Sequence, residues 1–427
     1  MIAALEEAGW SLSRGPGDAE VIIVNTCGFI SQAKKESIET GLELKARHPG
    51  AKVVMVGCLT ERYGGDLGRQ LPEIDGILGN RDPAAIVALL DGVSPPGETP
   101  PPPRPRERRH LLSFPGSAYV KIAEGCANRC TYCAIPLIRG DLASRPAEEI
   151  VAEAEGLLAR GTRELVLIAQ DLGSYGTDGG GARGSGPRLP RLLARLSGLK
   201  GEFWVRLLYI HPDHFPEEIL DVMADDPRLL PYFDIPFQHA SPRLLAAMGR
   251  RGDPERNLAL VSRIRAQLPG AVVRSTFLLG FPGETDADFQ RLCDFQGAAR
   301  LDWLGAFTYS REEDTPAYRM PGRVPAVVAG RRKAEVERRQ VPLTERALDG
   351  HVGTTREVLM EERIEGEEMS LGRAYLQAPD VDGLVVVQRS LPPGTVARVR
   401  FTRRNGFDLE GEPVQAPPRD AAGSGQR

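Results

Sequence analysis

Between residues 112 and 345 the chain repeats one pattern six times: a short apolar run, followed in most cases by a segment whose apolar residues recur at helical spacing. Strands are expected at 119–122, 164–169, 204–209, 233–236, 272–279 and 303–309, with helices such as 147–160, 254–267 and 286–299 following them. Strand–helix alternation forces parallel pairing through right-handed crossovers. Six such units make an incomplete TIM-like barrel, a (βα)6 sheet left open at one side. Barrel enzymes keep their chemistry at the C-terminal ends of the strands, so loops following the expected strands are where functional residues belong.

Two smaller units flank this core, which the reading places at residues 112–349. Residues 1–93 show strands at 21–25 and 52–57 alternating with helices at 30–47 and 60–70, a second, parallel α/β unit. Residues 94–111 are rich in proline; polyproline is extended and stiff, so this stretch is a semi-rigid spacer. A charged helix over 323–348 ends at Gly350, the usual C-terminal glycine signal. Residues 350–415 are β-rich, with strands expected at 356–361, 383–388 and 395–402, and fit a small barrel of the oligonucleotide-binding type. The polar tail over 416–427 is expected to be disordered. The fold class is multidomain α/β with a small C-terminal β-barrel.

Charge excludes a global nucleic-acid field: 54 basic residues face 58 acidic ones among 427, a net charge of −4. Arg331, Arg332, Lys333, Arg338 and Arg339 form a basic cluster on the 323–348 helix, read as a solvated face. No apolar run reaches the ~18 residues of a membrane span, and residues 1–10 lack a signal-peptide pattern. A cytoplasmic location, with no membrane partner, is expected.

Three of the six cysteines stand within eight residues: Cys126, Cys130 and Cys133, spaced Cys-x3-Cys-x2-Cys, with Tyr132 before the last. Three thiolates on one tight loop hold three irons of a cubane and leave the fourth iron open to a small molecule. Ordinary two-cluster ferredoxin runs supply a fourth cysteine. A zinc knuckle needs a fourth Cys or His nearby, and none follows before His211. The loop directly follows the first expected barrel strand. Cys27 and Cys58 each fall just past a strand of the N-terminal unit, at the edge where open α/β sheets bind ligands. Position alone leaves two readings of them, a shared site or two buried structural thiols. Cys293, inside a helical pattern, reads as a core thiol.

The cysteine run resembles the radical S-adenosylmethionine superfamily, and the order of the three units resembles its methylthiotransferase family. The resemblance rests on Asn25-Thr26-Cys27-Gly28-Phe29-Ile30 and Val56-Gly57-Cys58-Leu59, on Cys133 to Gly140 with Ser144-Arg145, and on Ala378-Pro379-Asp380-Val381-Asp382-Gly383 near the C-terminus. It implies a 4Fe-4S cluster on Cys126, Cys130 and Cys133, an auxiliary 4Fe-4S cluster with Cys27 and Cys58 among its ligands, and a C-terminal TRAM domain. The family's third auxiliary cysteine belongs to a strand ahead of a helix that Met1 to Leu5 already resembles. This chain shows neither that strand nor that cysteine, so the auxiliary cluster is expected to be partly occupied. The resemblance implies two uses of S-adenosylmethionine, as methyl donor and as radical source, and an electron donor such as flavodoxin or ferredoxin. It places Tyr132 against the cofactor and the turn containing Gly280 and Phe281 beside its adenine or sulfonium; a ligand-free tight turn is the other reading of that segment. Arg206, Gln238 and Arg274 reach either its carboxylate or ribose, or form barrel-filling ion pairs.

The C-terminal motif resembles the branch that modifies the β-carbon of an aspartate in ribosomal protein S-twelve of the small subunit. On that reading the small barrel docks the substrate loop and is separable from radical formation. Two alternatives stand beside it: methylthiolation of isopentenylated adenosine in transfer RNA, and a non-catalytic RNA-binding or ribosome-assembly factor with relict clusters.

Overall fold

Six parallel strands in sequence order make the central sheet of the computed structural model, which describes residues 1–13, 15–92, 111–178 and 188–414. The proline-rich spacer, apart from Leu111, and the 416–427 tail lie outside the described residues.

The N-terminal unit holds β1 (Val21–Thr26), β2 (Lys52–Gly57) and β3 (Gly76–Leu78), paired in parallel in that order. Helices Ser31–Arg47 and Cys58–Gln70 carry the chain back between them. Both faces of β2 are covered: Val53 and Met55 pack with Val24, Leu59 and Ile74, while Val54 and Val56 pack with Leu78 and Ile86. That explains its uninterrupted apolar run. At three residues, β3 is too short to leave a periodic signal.

The central sheet runs β4 (Ser117–Lys121), β5 (Glu164–Ile168), β6 (Trp204–Leu208), β7 (Leu229–Asp234), β8 (Val272–Leu279) and β9 (Trp303–Thr308). Each neighbouring pair is parallel, and β4 and β9 are the two edges, so the barrel is open. β7 begins four residues before the expected 233. Pro231, which has no N–H for a ladder, interrupts the run and coincides with a register break against β6 between Val205 and Leu207. Helix Ala326–Asp349 crosses the open side against β9; Gly350 ends it at φ −62°, a right-handed conformation, so this glycine is not a left-handed cap. No helix among the described residues is long and apolar enough to cross a membrane.

The C-terminal unit is a closed five-stranded barrel of β10 (Thr355–Arg363), β11 (Ser370–Arg373), β12 (Val385–Val387), β13 (Val396–Asn405) and β14 (Asp408–Pro413). The polar, short β11 and β14 carried no strand pattern. This barrel closes the base of the central sheet. Tyr232, Val272 and Trp303 share one apolar core with Val358, Val399 and Phe401, and Trp303 Nε1 donates to the Leu376 carbonyl at 2.8 Å.

Candidate active site

The cysteine loop leaves the C-terminal end of β4 and is pinned from three sides. The Cys126 amide donates to the Gly140 carbonyl at 3.2 Å, the Thr131 amide to the Met248 carbonyl at 3.0 Å, and the Ala317 amide to the Thr131 carbonyl at 2.9 Å. Cys126, Cys130 and Cys133 all face one cavity of about 690 Å³. Asn128 Nδ2 donates to Cys126 Sγ at 3.4 Å and to the Asp171 carboxylate at 3.0 Å. His211 Nε2 lies 3.9 Å from Cys130 Sγ.

Burial pushes the Cys126 thiol up, and pushes Cys133 from 9.0 to about 12, so both stay protonated until a metal cation replaces the proton. Among the described residues no three His, Cys, Asp or Glu side chains converge closely enough to share a single ion. A cubane places each thiolate on a different iron, so spread thiols on one loop fit it and do not fit a zinc knuckle.

The cavity walls come from the strand ends. Tyr209 and Gln238 sit just past β6 and β7 with φ of 72° and 67°, a costly left-handed conformation for side chains of this size. Gln238 is locked there, its amide donating to the Thr276 carbonyl and its own carbonyl accepting from the Leu278 amide, both at 2.8 Å. Arg274 on β8 pairs with Asp234 at 3.1 Å; burial pushes the Asp234 carboxyl up, opposed by that guanidinium. Tyr132 is wedged edge-on against Phe281 at 6.5 Å. Burial, then the Arg250 guanidinium and His214, push His211 down to about 2, so it is neutral.

The mouth is closed by the N-terminal unit. Phe29, Ile30 and Gln32, just after Cys27, line the cavity. One carboxylate holds them there: Glu312 takes Lys34 Nζ at 2.8 Å and Arg62 Nη1 at 2.9 Å, and accepts from Ser31 Oγ at 3.2 Å. Cys27 is exposed and Cys58 partly so. Their loops touch backbone to backbone: a Cβ on Gly28 would lie 2.6 Å from the Cys58 carbonyl oxygen, and Gly57, at φ 129°, would meet the Thr26 carbonyl at 2.6 Å. Arg139, at the end of the five-residue helix that starts at Ile135, donates to Cys58 Sγ at 3.1 Å. That helix therefore spans from the three-thiol loop to the Cys27–Cys58 pair.

Several expected residues sit elsewhere. Arg206 does not reach the cavity; it is fully buried at the base of the sheet, with Nε on Glu164 at 2.7 Å and its other nitrogens on the Tyr375 and Ala374 carbonyls. Gly280 and Phe281 do not line the cavity either. The Gly280 amide is taken by the Glu284 carboxylate, which Arg332 also pairs at 2.9 Å, and Phe281 backs the site through Tyr132 and Tyr309. Arg332 is thus buried rather than part of a solvated basic face, while Lys333 lines the cavity.

In the 378–383 motif Asp380 and Val381 are exposed, but Asp382 is turned inward. Asp382 accepts from Tyr232 Oη at 2.5 Å and from the Ala378 amide at 2.9 Å, and lies 3.5 Å from Arg274. Its carboxylate braces the cavity floor from below and is not presented for docking. Arg250, His211, Asn128, Asp234 and Glu312 were not singled out as site residues from sequence. Each is a lone polar residue in a loop or at a strand end, with no spacing pattern to mark it.

The chain matches the radical SAM superfamily over residues 120–295, an uncharacterised protein family, UPF0004, over residues 1–79, and the TRAM domain over residues 352–414. It is 44% identical to the ribosomal protein uS12 methylthiotransferase RimO of Treponema denticola, over 96% of each chain. It is 41% identical to the enzyme of the same name from Pelotomaculum thermopropionicum, over 97% of this chain and 95% of that one. Among solved structures, the radical S-adenosylmethionine methyltransferase TsrM of Kitasatospora setae, with tryptophan and a cofactor analogue bound, superposes with a TM-score of 0.54. That match is at 19% identity and covers 74% of this chain and 66% of that one, a likeness of fold.

Proposed function

Because the chain belongs to the ribosomal protein uS12 methylthiotransferase family of radical S-adenosylmethionine enzymes, we propose that it methylthiolates the β-carbon of an aspartate in ribosomal protein uS12. The observation that carries this reading is the single cavity walled both by the three-thiol loop and by the segment following Cys27. Radical generation and sulfur delivery need to meet at one substrate atom, and that cavity is where both loops face.

When bound, a 4Fe-4S cluster and S-adenosylmethionine supply the one-electron cleavage that yields a hydrogen-abstracting radical. Cys126, Cys130 and Cys133 hold the cluster. Tyr132, backed by Phe281, would contact the cofactor, and Gln238 and Arg274 would orient its polar groups from the strand ends. Phe29, Ile30, Leu208 and Phe307 make the wall apolar and keep water from the radical. Cys27 and Cys58 would contribute two ligands to a second cluster, whose chemistry when bound would supply the sulfur, and Arg139 donates to Cys58. The electron comes from a flavodoxin- or ferredoxin-class protein, and the reaction takes place in the cytoplasm, where the small ribosomal subunit is.

The test is the intact mass of uS12 from cells lacking the gene, with and without the full-length gene restored. Replacing hydrogen by SCH3 adds about 46 Da, the gain expected only with the gene present. A gain on transfer-RNA adenosine, with none on uS12, would sink the proposal.

A further inference from the structure

Arg250 stands on the loop after helix Pro242–Ala247 with only 4% of its surface exposed. Nη2 donates to the Pro236 carbonyl at 2.6 Å, Nη1 donates to Tyr132 Oη at 3.2 Å and reaches Cys130 Sγ at 4.0 Å, and Nε has no partner. Among the described residues every other deeply buried arginine of the core and C-terminal barrel is paired with a carboxylate: Arg206 with Glu164, Arg332 with Glu284, Arg373 with Glu164 and Glu361. Arg250 forms no ion pair with an Asp or Glu there.

The side chain's partners are Tyr132, Cys130 and the Pro236 carbonyl, none of them a carboxylate. A buried cation without a counter-charge is costly, by several kcal/mol for an isolated ion. The fold keeps it beside the sulfur of one cluster ligand, where the missing negative charge arrives with ligation.

We propose that Arg250 is the built-in counter-ion of the Cys126–Cys130–Cys133 site: it offsets the negative charge of the ligated thiolates and favours the reduced state of the cluster they hold. This rests on the cluster assignment above. A guanidinium a few ångströms from the ligand sulfur stabilises the added electron and raises the reduction potential. Its second Nη1 contact holds Tyr132, the residue before the last thiol, so charge and loop geometry are set by one side chain. Arg250 is a positioning and charge-setting residue.

The experiment uses full-length protein carrying Cys27→Ala and Cys58→Ala, so that only the radical-site cluster reports. It is reconstituted anaerobically and titrated with dithionite while the reduced-cluster EPR signal is followed. Arg250→Gln is expected to keep about four irons per chain and to lower the midpoint. At fixed potential its reduced-to-oxidised ratio falls at least about tenfold, or about 59 mV for a one-electron couple. Arg250→Lys, which keeps the charge, should stay near the parent. Loss of iron in Arg250→Gln with retention in Arg250→Lys also supports the role, because charge then decides binding.

An unchanged midpoint in Arg250→Gln at full iron overturns the counter-ion role and leaves the cluster assignment standing. Equal loss of iron in Arg250→Gln and Arg250→Lys overturns it too, because shape rather than charge then matters. If Cys130→Ala holds as much iron as its parent, the cluster assignment fails and the counter-ion role falls with it.

Discussion

The two small units grip the central sheet by different physics. The C-terminal barrel shares an apolar core with it: Tyr232, Val272 and Trp303 on the sheet side, Val358, Val399 and Phe401 on the barrel side. A buried ion network crosses the same seam, with Glu164 taking Arg206 at 2.7 Å and Arg373 at 2.6 Å. The N-terminal unit keeps its apolar clusters to itself, all within residues 1–90. Among the described residues its bonds to the core are polar, gathered on Ser310, Glu312 and Glu313, with one more from Arg139 to Cys58. One unit is fused to the floor of the cavity and the other is latched over its mouth. On the proposed function the substrate loop enters from the latched side, because the floor cannot be withdrawn without opening an apolar core to water.

The largest expected effect tests that contrast directly. Deleting residues 352–427 should expose Tyr232, Val272 and Trp303, lower the melting temperature steeply and abolish 5'-deoxyadenosine formation. Deleting residues 1–92 should leave a folded core that still cleaves S-adenosylmethionine. The opposite ranking of the two deletions, read by thermal melts and product yield, breaks the comparison. The expected ranking, not its opposite, reverses the sequence-based expectation that the small barrel is separable.

Next come the two carboxylates. Glu164→Gln leaves Arg206 and Arg373 buried without their shared charge and should cost about 3–5 kcal/mol in urea unfolding. Glu312→Gln should cost about 1–3 kcal/mol or less and chiefly lower methylthiolation, with cofactor cleavage little changed. Equal losses of stability would erase the difference between fused and latched.

Acid should sharpen the first of these. Burial alone would raise the Glu164 carboxyl, but Arg206 and Arg373 outweigh it and hold it at about 2, against an ordinary 4.5. A depressed folded-state value means the stabilisation is full above 4.5 and is lost as pH falls toward 2. The gap between the parent and Glu164→Gln should therefore be constant from pH 7 to 5 and shrink below 4.5. A gap that widens in acid contradicts the pairing.

The smallest effect is expected from Asp382→Asn. Stability should change by roughly 1 kcal/mol, yet affinity for S-adenosylmethionine should fall by equilibrium binding, since Arg274 loses the brace 3.5 Å below it. Unchanged affinity would mean that the base of the sheet does not reach the site.

Much of this protein follows from local sequence. The alternation of apolar runs and helical segments determined the parallel sheet, since periodicity is a property of neighbouring residues; helices Pro254–Gln267 and Asp286–Ala299 and strand Val272–Leu279 begin and end where their patterns do. The thiol spacing determined the three-cysteine loop, because a tight loop needs nothing distant to bring its ligands together. Arg206 and Asp382 show where that reach ends. Each was assigned from its motif or strand position, yet Arg206 turned to Glu164 and Asp382 to Tyr232, partners 42 and 150 residues away. Tertiary structure alone decided which carboxylate each buried cation received, because a charge in a low-dielectric interior goes to the counter-charge that packing brings near it. By the same rule Arg250, given no carboxylate, was left facing Cys130.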